Sequence, residues 1–264
     1  MLLYKFKKMN LLFIFLIGFD SLLIKFPYLE EGEAILLKTE RQNILIDAGS
    51  IISGKSLLNF LKKEKIDTLS ALIITHPHPD HYSGFFFIKD EIFIKNKFDN
   101  GDSINDDYFR WFKRFFRDKN YKRLKAGDSL KFGNLKIKVL SPEKLEQNKN
   151  RNSLVLLINF GKINMLFMGD ADTLIERKIL KKIKNIKINL LKLGHHGADD
   201  TGSEKFLKNI NPDFVIICVS KNHPKGYPSE KTLKRLEKLN IKYFLAEKEK
   251  ELIFVCKQNK LIKK

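Results

Sequence analysis

The run Ile73-Ile-Thr-His76-Pro-His78-Pro-Asp80-His81-Tyr-Ser-Gly84 puts three imidazoles and one carboxylate within six residues. It continues an apolar, β-branched segment, Ala71-Leu-Ile-Ile-Thr75, that reads as a buried strand. The cluster therefore occupies the loop at the C-terminal end of that strand, closed by Gly84. Pro77 and Pro79 stiffen the loop and are expected to deny it helical geometry. Neutral imidazole and ionised carboxylate are the ligands of Zn²⁺ and its first-row neighbours. A histidine-rich surface loop is the plainer reading, but three of the chain's six histidines gathered behind one strand argue for a metal site.

A short loop cannot wrap a tetrahedron, so the pattern splits more naturally between two ions. His76 and His78 can chelate one, and Asp80 and His81 face a second. Further ligands must come from elsewhere, and two later segments have the same design. Asn164-Met-Leu-Phe-Met-Gly-Asp170 is an apolar strand ending in Gly-Asp, and Ile188-Asn-Leu-Leu-Lys-Leu-Gly-His195-His196-Gly197 ends in a histidine pair between glycines. Asp170 is placed to bridge the ions, and either His195 or His196 to complete the second site. Each segment alone is weak, since Gly-Asp is often a turn and His-His often a core pair. Their force lies in recurring, in order, at strand ends. An earlier segment, Asn43-Ile-Leu-Ile-Asp47-Ala-Gly49, fits the series. Asp47 there is either a turn residue or the group that orients a ligand histidine through its second ring nitrogen.

These residues resemble the metallo-β-lactamase superfamily in the order Asp47, His76-x-His78-x-Asp80-His81, Asp170 and His195-His196-Gly197. The more specific resemblance is to the metallo-β-lactamase-like domain of bacterial DNA-uptake competence proteins of the ComEC type. Residues 24–37, 126–142, 152–157, 192–197 and 222–229 are similar to that branch, and the likeness covers about residues 21–257. It implies an α/β fold of the αββα class, two mixed sheets packed face to face with helices outside. It also implies two divalent ions, Zn²⁺ or Mn²⁺, and a metal-bound hydroxide as nucleophile. The chain departs from the branch at Glu30-Glu-Gly-Glu33, at Ala198 and at Tyr227, where the branch usually has a histidine; His223 lies four residues earlier.

No histidine lies between His81 and Asp170. In the competence-type branch an asparagine stands in that interval, and Asn152 is the match, expected as a ligand or substrate contact. An amide oxygen is harder than imidazole and would tilt the first site toward Mn²⁺. Paired ions roughly 3.5–4 Å apart suit hydrolysis, above all of phosphate esters, with the bound water brought to a pKa of about 7. Asp80, Asp170 and His196 are the expected catalytic residues, and Ser220, Asn222 and Tyr227 the expected substrate contacts. Cys218 and Cys256 lie in apolar strands and read as buried thiols.

The 264 residues suffice for one sizeable α/β domain. Helices are predicted over Lys55–Lys65, Asp106–Lys119, Thr173–Lys184 and Ser229–Leu239. Trp111, Phe109, Phe112, Phe115 and Phe116, on the second, read as core or cleft-rim residues. The net charge of +19 attracts polyanions, single-stranded DNA or an anionic membrane among them. Only eight of the 50 basic residues are arginine, and so lysine-rich a composition is expected to scatter its charge. Lys5, Lys7 and Lys8 precede Leu11-Leu-Phe-Ile-Phe-Leu-Ile-Gly-Phe19, which reads as a signal peptide or N-terminal anchor over residues 1–20, with a hydrolase domain over 21–264. The expectation is an exported or membrane-anchored phosphodiesterase or nuclease acting on DNA. Hydrolysis of a phosphocholine-type diester, a lactone or a β-lactam is an alternative. A non-catalytic DNA-binding component of uptake machinery is another.

Overall fold

The structure, a computed structural model, describes residues 21–221, 223–246 and 251–264. The segment expected as signal or anchor, residues 1–20, lies outside them, as does Asn222. Seventeen strands and seven α-helices are seen among the described residues.

Two mixed sheets form the centre, and a small third one pairs β4 (Thr68–Leu69) with β6 (Phe93–Ile94). The first has the order β17 (Lys260–Lys263), β16 (Glu251–Lys257), β1 (Ser21–Pro27), β2 (Ile35–Lys38), β3 (Asn43–Ile46), β5 (Ala71–Ile73), β7 (Lys97–Asp99) and β8 (Tyr121–Arg123). The second runs β15 (Tyr243–Leu245), β14 (Phe214–Ile217), β13 (Leu190–Lys192), β12 (Ile163–Phe167), β11 (Val155–Phe160), β10 (Leu135–Ser141) and β9 (Ser129–Phe132). Strand alternation explains the layering. In β3, Ile44 and Ile46 face the second sheet, whereas Leu45 joins the outer cluster under the helices. Both faces are apolar because both are covered. Between the sheets lie Ile24, Phe26, Ile73, Val139, Leu156, Phe167 and Phe254, with Phe26 packing against Phe167 and Phe254.

Helices α1 (Gly54–Lys63) and α4 (Asp107–Phe116) cover the first sheet; α5 (Thr173–Lys182), α6 (Glu204–Ile210) and α7 (Glu230–Lys238) cover the second. The αββα sandwich is therefore as expected, and the four predicted helices are present, each ending one to three residues earlier than expected. Asp106, Asp172 and Ser229 cap α4, α5 and α7 by accepting backbone N–H bonds, which fixes where each begins. The α4 aromatics divide by helical period: Phe109, Phe112 and Phe116 are buried against Tyr82 and Phe85, while Tyr108, Trp111 and Phe115 face solvent.

One expectation is corrected. The histidine loop contains a helical turn, α2 (Pro79–Tyr82), followed by α3 (Phe85–Ile88). Pro79 occupies the first helical position, where its missing N–H costs nothing and its fixed φ favours the turn. The prolines thus start this helix instead of preventing one. At the same end of the sheets, Gly32 (φ +81°) packs so closely that a Cβ would lie 2.0 Å from the Asp80 carbonyl oxygen. Gly32→Ala should therefore lower stability by about 2–4 kcal/mol and loosen the loop, measured as a fall in urea midpoint with unchanged m-value.

Candidate metal centre

All the parallel strands of both sheets deliver their C-terminal ends to one edge of the sandwich. His76, His78, Asp80 and His81 arrive there after β5, Asp170 after β12, and His196 after β13. Two trios of ligand atoms result, His76–His78–Asp170 and Asp80–His81–His196, the atoms of each lying within 4.8 Å of one another. Asp170 stands between the trios, 3.7 Å from His76 Nε2, 3.4 Å from His81 Nε2 and 3.8 Å from His196 Nε2.

The orientation of each ring has a cause. His81 Nδ1 lies 2.9 Å from Asp47 Oδ2, and His196 Nδ1 is 2.8 Å from the Cys218 carbonyl oxygen. His76 Nδ1 is 3.1 Å from Thr75 Oγ1, which itself donates to Asp47. With each Nδ1 engaged, the three Nε2 atoms are left facing the same space. Asp47 also accepts the Thr75 backbone N–H, so it braces the start of the loop as well as the ring. Its backbone lies in the left-handed region, at φ 58°.

The donor set fits divalent cations. His76 Nε2, His81 Nε2 and Asp170 Oδ1 are buried and have no hydrogen-bond partner among the described residues. His196 Nε2 faces Asp80 Oδ2 at 3.1 Å with its other nitrogen already committed to a carbonyl. Such a meeting of acceptors calls for positive charge between them. The titration behaviour says the same. Burial opposes an ionised Asp170, yet His81 and His196 outweigh it and hold the carboxyl well below the usual range. Burial likewise opposes a charged His196, but Asp170 and the hydrogen bond to Asp80 push it up to about 9. His76 shows the reverse balance, with burial lowering its pKa well below that of an ordinary histidine.

His195 takes a different position. It is half-buried, with Nε2 3.2 Å from the Asn150 amide nitrogen and Nδ1 3.3 Å from Asp200. It belongs to neither trio. His195, His196 and Gly197 all have positive φ, a succession that turns the two rings apart. The ligand amide expected at Asn152 is replaced by a bracing role. Its Nδ2 donates to Asp102 Oδ2 (2.6 Å) and the Glu146 carbonyl (2.8 Å), and its Oδ1 accepts the Glu146 N–H (2.7 Å). Its neighbour Ser153 accepts the Asp170 N–H and positions that carboxylate. Of the expected substrate contacts, Ser220 is buried and Tyr227 half-buried. Tyr227 stacks on His223 at 4.7 Å and lies 5.3 Å from His195. His223 in turn lies 5.5 Å from His196, so a histidine stands at the rim four residues before Tyr227.

Sequence reasoning missed Glu33 and Lys192. Both are buried beside the trios, and Lys192 Nζ pairs with Glu33 Oε2 at 2.5 Å while donating to the Gly169 carbonyl. Burial opposes the Lys192 ammonium, but Glu33 outweighs it and raises its pKa above the ordinary lysine value. The available signal was a single charge in the otherwise apolar strand Leu190-Leu-Lys192-Leu. Glu33 also lies 3.9 Å from His81 Nδ1 and 3.7 Å from His196 Nδ1, behind both rings.

The sequence profile of the metallo-beta-lactamase superfamily matches residues 29–220, which include every residue of both trios. The chain belongs to that superfamily. ComE operon protein 3 of Bacillus subtilis is 28% identical over 222 residues, or 77% of this chain and 29% of that protein. Competence protein ComA of Neisseria gonorrhoeae is 23% identical over 215 residues, 80% of this chain and 29% of that protein. The chain thus spans under a third of the length of these curated relatives. Among solved structures, the metallo-beta-lactamase fold protein YhfI from Bacillus subtilis matches with a TM-score of 0.64 at 13% identity, covering 90% of this chain and 100% of that one. The resemblance to competence proteins and the αββα fold both stand.

Charge is segregated rather than scattered. Among the described residues, the loops and first helical turns at the metal end carry eighteen carboxylates against ten Lys or Arg. Without Glu33, Asp47, Asp80 and Asp170 the balance there is still fourteen against ten. The loops and last helical turns at the opposite end carry nineteen Lys or Arg against eight carboxylates. Part of this follows from the helix dipole, which favours acids at helix starts and cations at helix ends.

Asp47→Ala should reduce metal affinity about 10–100-fold while leaving the fold intact, measured by competition with a chromogenic chelator. Affinity equal to wild type would leave Asp47 as a turn residue only.

Proposed function

We propose that the protein is a binuclear metal-dependent phosphodiesterase whose substrate is DNA. The observation that carries this reading is the convergence of the two imidazole–carboxylate trios on one edge, with Asp170 within reach of both. The competence relatives bring DNA into it. His76, His78 and Asp170 would hold one ion, and Asp80, His81 and His196 the other; Zn²⁺ and Mn²⁺ both suit such ligands. Bound as a pair, divalent ions supply an activated water and offset the charge growing on an attacked phosphate.

The chain's own residues do the rest. Asp47, Thr75 and the Cys218 carbonyl keep three rings turned inward before substrate arrives, so little reorganisation is needed. Asp80, Asp170 and His196 are the catalytic residues of this reading. Asp80 is the carboxylate of the set most open to solvent, and with Oδ2 turned to His81 and His196 it would hold the second ion and orient the attacking water. His195, His223 and Tyr227 line the rim where the groups flanking the phosphate would lie.

Protein stripped with chelator and reloaded with Mn²⁺ should release nucleotides from labelled single-stranded DNA and cleave bis-p-nitrophenyl phosphate; His78→Ala should do neither. Turnover of a chromogenic lactam with both phosphodiesters untouched would replace this reading with acyl hydrolysis. DNA retention that survives metal removal, without cleavage, would make the protein a binding component. A second phosphodiesterase reading, with a small esterified phosphate as substrate, is favoured by the excess of carboxylates at the metal end, which opposes a long polyanion. Cleavage of the small diester but not of DNA would select it.

A further inference from the structure

The lysine-rich end opposite the metal centre is not explained by the reaction. Helix dipoles account for Lys62, Lys63, Lys181 and Lys182 in the last turns of α1 and α5. They do not account for Lys95, Lys119, Lys162 and Lys260, which stand in strand connections or at a strand start. These four are exposed, and none forms an ion pair among the described residues. The turns of Lys162 and Lys260 adjoin, the Lys162 N–H bonding the Asn259 side chain, while Lys95 and Lys119 lead into β7 and β8 at the other edge of the first sheet; an extended anionic surface would meet both pairs at once.

The same end is where the chain enters the fold. Ser21 opens β1 opposite Lys257 in the pairing with β16, and it shares a surface pocket with Thr39–Gln42 and Phe132–Asn134, the turns of this end. The apolar run Leu11–Phe19, with Lys5, Lys7 and Lys8 before it, is joined at that point.

We infer that this lysine-rich end docks on an anionic lipid surface, with the metal centre facing away from the bilayer. A cationic end and an acidic end on one body give it a preferred orientation at a negative membrane, and basic residues beside an apolar segment are a recurring means of such attachment. The chemistry favours lipid over nucleic acid here. A strand held at this end would lie across the sandwich from the ligand trios, out of their reach, whereas a lipid surface needs no access to them. The inference does not depend on the identity of the substrate.

The test uses the full chain and sedimentation with vesicles of phosphatidylcholine, alone or mixed with the anionic lipid phosphatidylglycerol. Binding should be at least tenfold tighter to the anionic vesicles and should weaken as salt is raised. The quadruple variant Lys95→Glu, Lys119→Glu, Lys162→Glu, Lys260→Glu should lose at least tenfold of that binding, since each lysine near a membrane contributes about fivefold. The same four changed to Gln, which avoids new carboxylates, should lose less but in the same direction. Unchanged melting temperature and metal content in both variants would confirm that the fold is intact. Equal binding to the two vesicle types, or wild-type binding by both variants, would overturn the inference. So would variants that keep vesicle binding but lose retention of a single-stranded oligonucleotide, which would assign this end to nucleic acid.

Discussion

Asp170→Ala should lower bound metal from two equivalents per chain to one or none and reduce phosphodiester cleavage by about 10³-fold, or ~4 kcal/mol in transition-state free energy. The size follows from position. Among the described residues, Asp170 is the one carboxylate within 4 Å of ring nitrogens from both trios, so its loss opens both. Removing a group that only supports a ligand costs about 10–100-fold in metal affinity. A shared ligand should cost more, and its loss leaves three imidazoles facing a space with less negative charge. Metal content by mass spectrometry and the rate on bis-p-nitrophenyl phosphate read the two effects separately. Two equivalents of metal retained in the variant would remove Asp170 from its bridging place. Full metal with a large loss of rate would instead give Asp170 a role in the reaction alone.

The second large effect lies behind the trios. Lys192→Met should destabilise the protein by about 3–5 kcal/mol, because it leaves the buried Glu33 carboxylate without its counter-ion. For a chain of this size that corresponds to a fall in melting temperature of roughly 6–20 °C. Adding Glu33→Gln to the same chain should recover most of the loss, since the penalty belongs to the isolated charge and not to the missing contact. Bound cations supply positive charge near Glu33, so the single variant should suffer less when metal-loaded than when stripped. Equal destabilisation with and without metal, or no recovery in the double variant, would show that Lys192 acts by packing alone.

The legible part of this fold was the part governed by local pattern. Alternating apolar runs ending in Asp or His announced strands that deliver ligands to one edge, and the four long helices followed from their period. The Pro79 turn was misread because proline was treated as a breaker, although the first position of a helix suits it. His195 and His196 could not be separated by spacing, since the choice rests on three consecutive residues with positive φ. Asn152 was matched by its place in the chain, but its amide is consumed by Asp102 and Glu146, partners fixed only by loop packing. Glu33 and Lys192 meet across 159 positions of sequence, and nothing local to either announces the other. Charge segregation was equally hidden, because lysines far apart in sequence come to one end only through the up-and-down course of the chain.

The ligand trios draw on both leaves of the sandwich: the histidine loop hangs from the first sheet, while Asp170 and His196 hang from the second. A nascent chain therefore holds no complete trio until residue 170 has been made, lacks the second until residue 196, and gathers either only when the two leaves have closed on each other. Whichever compartment hosts that closure also chooses the cation, because the ion is taken from the surroundings in which folding ends.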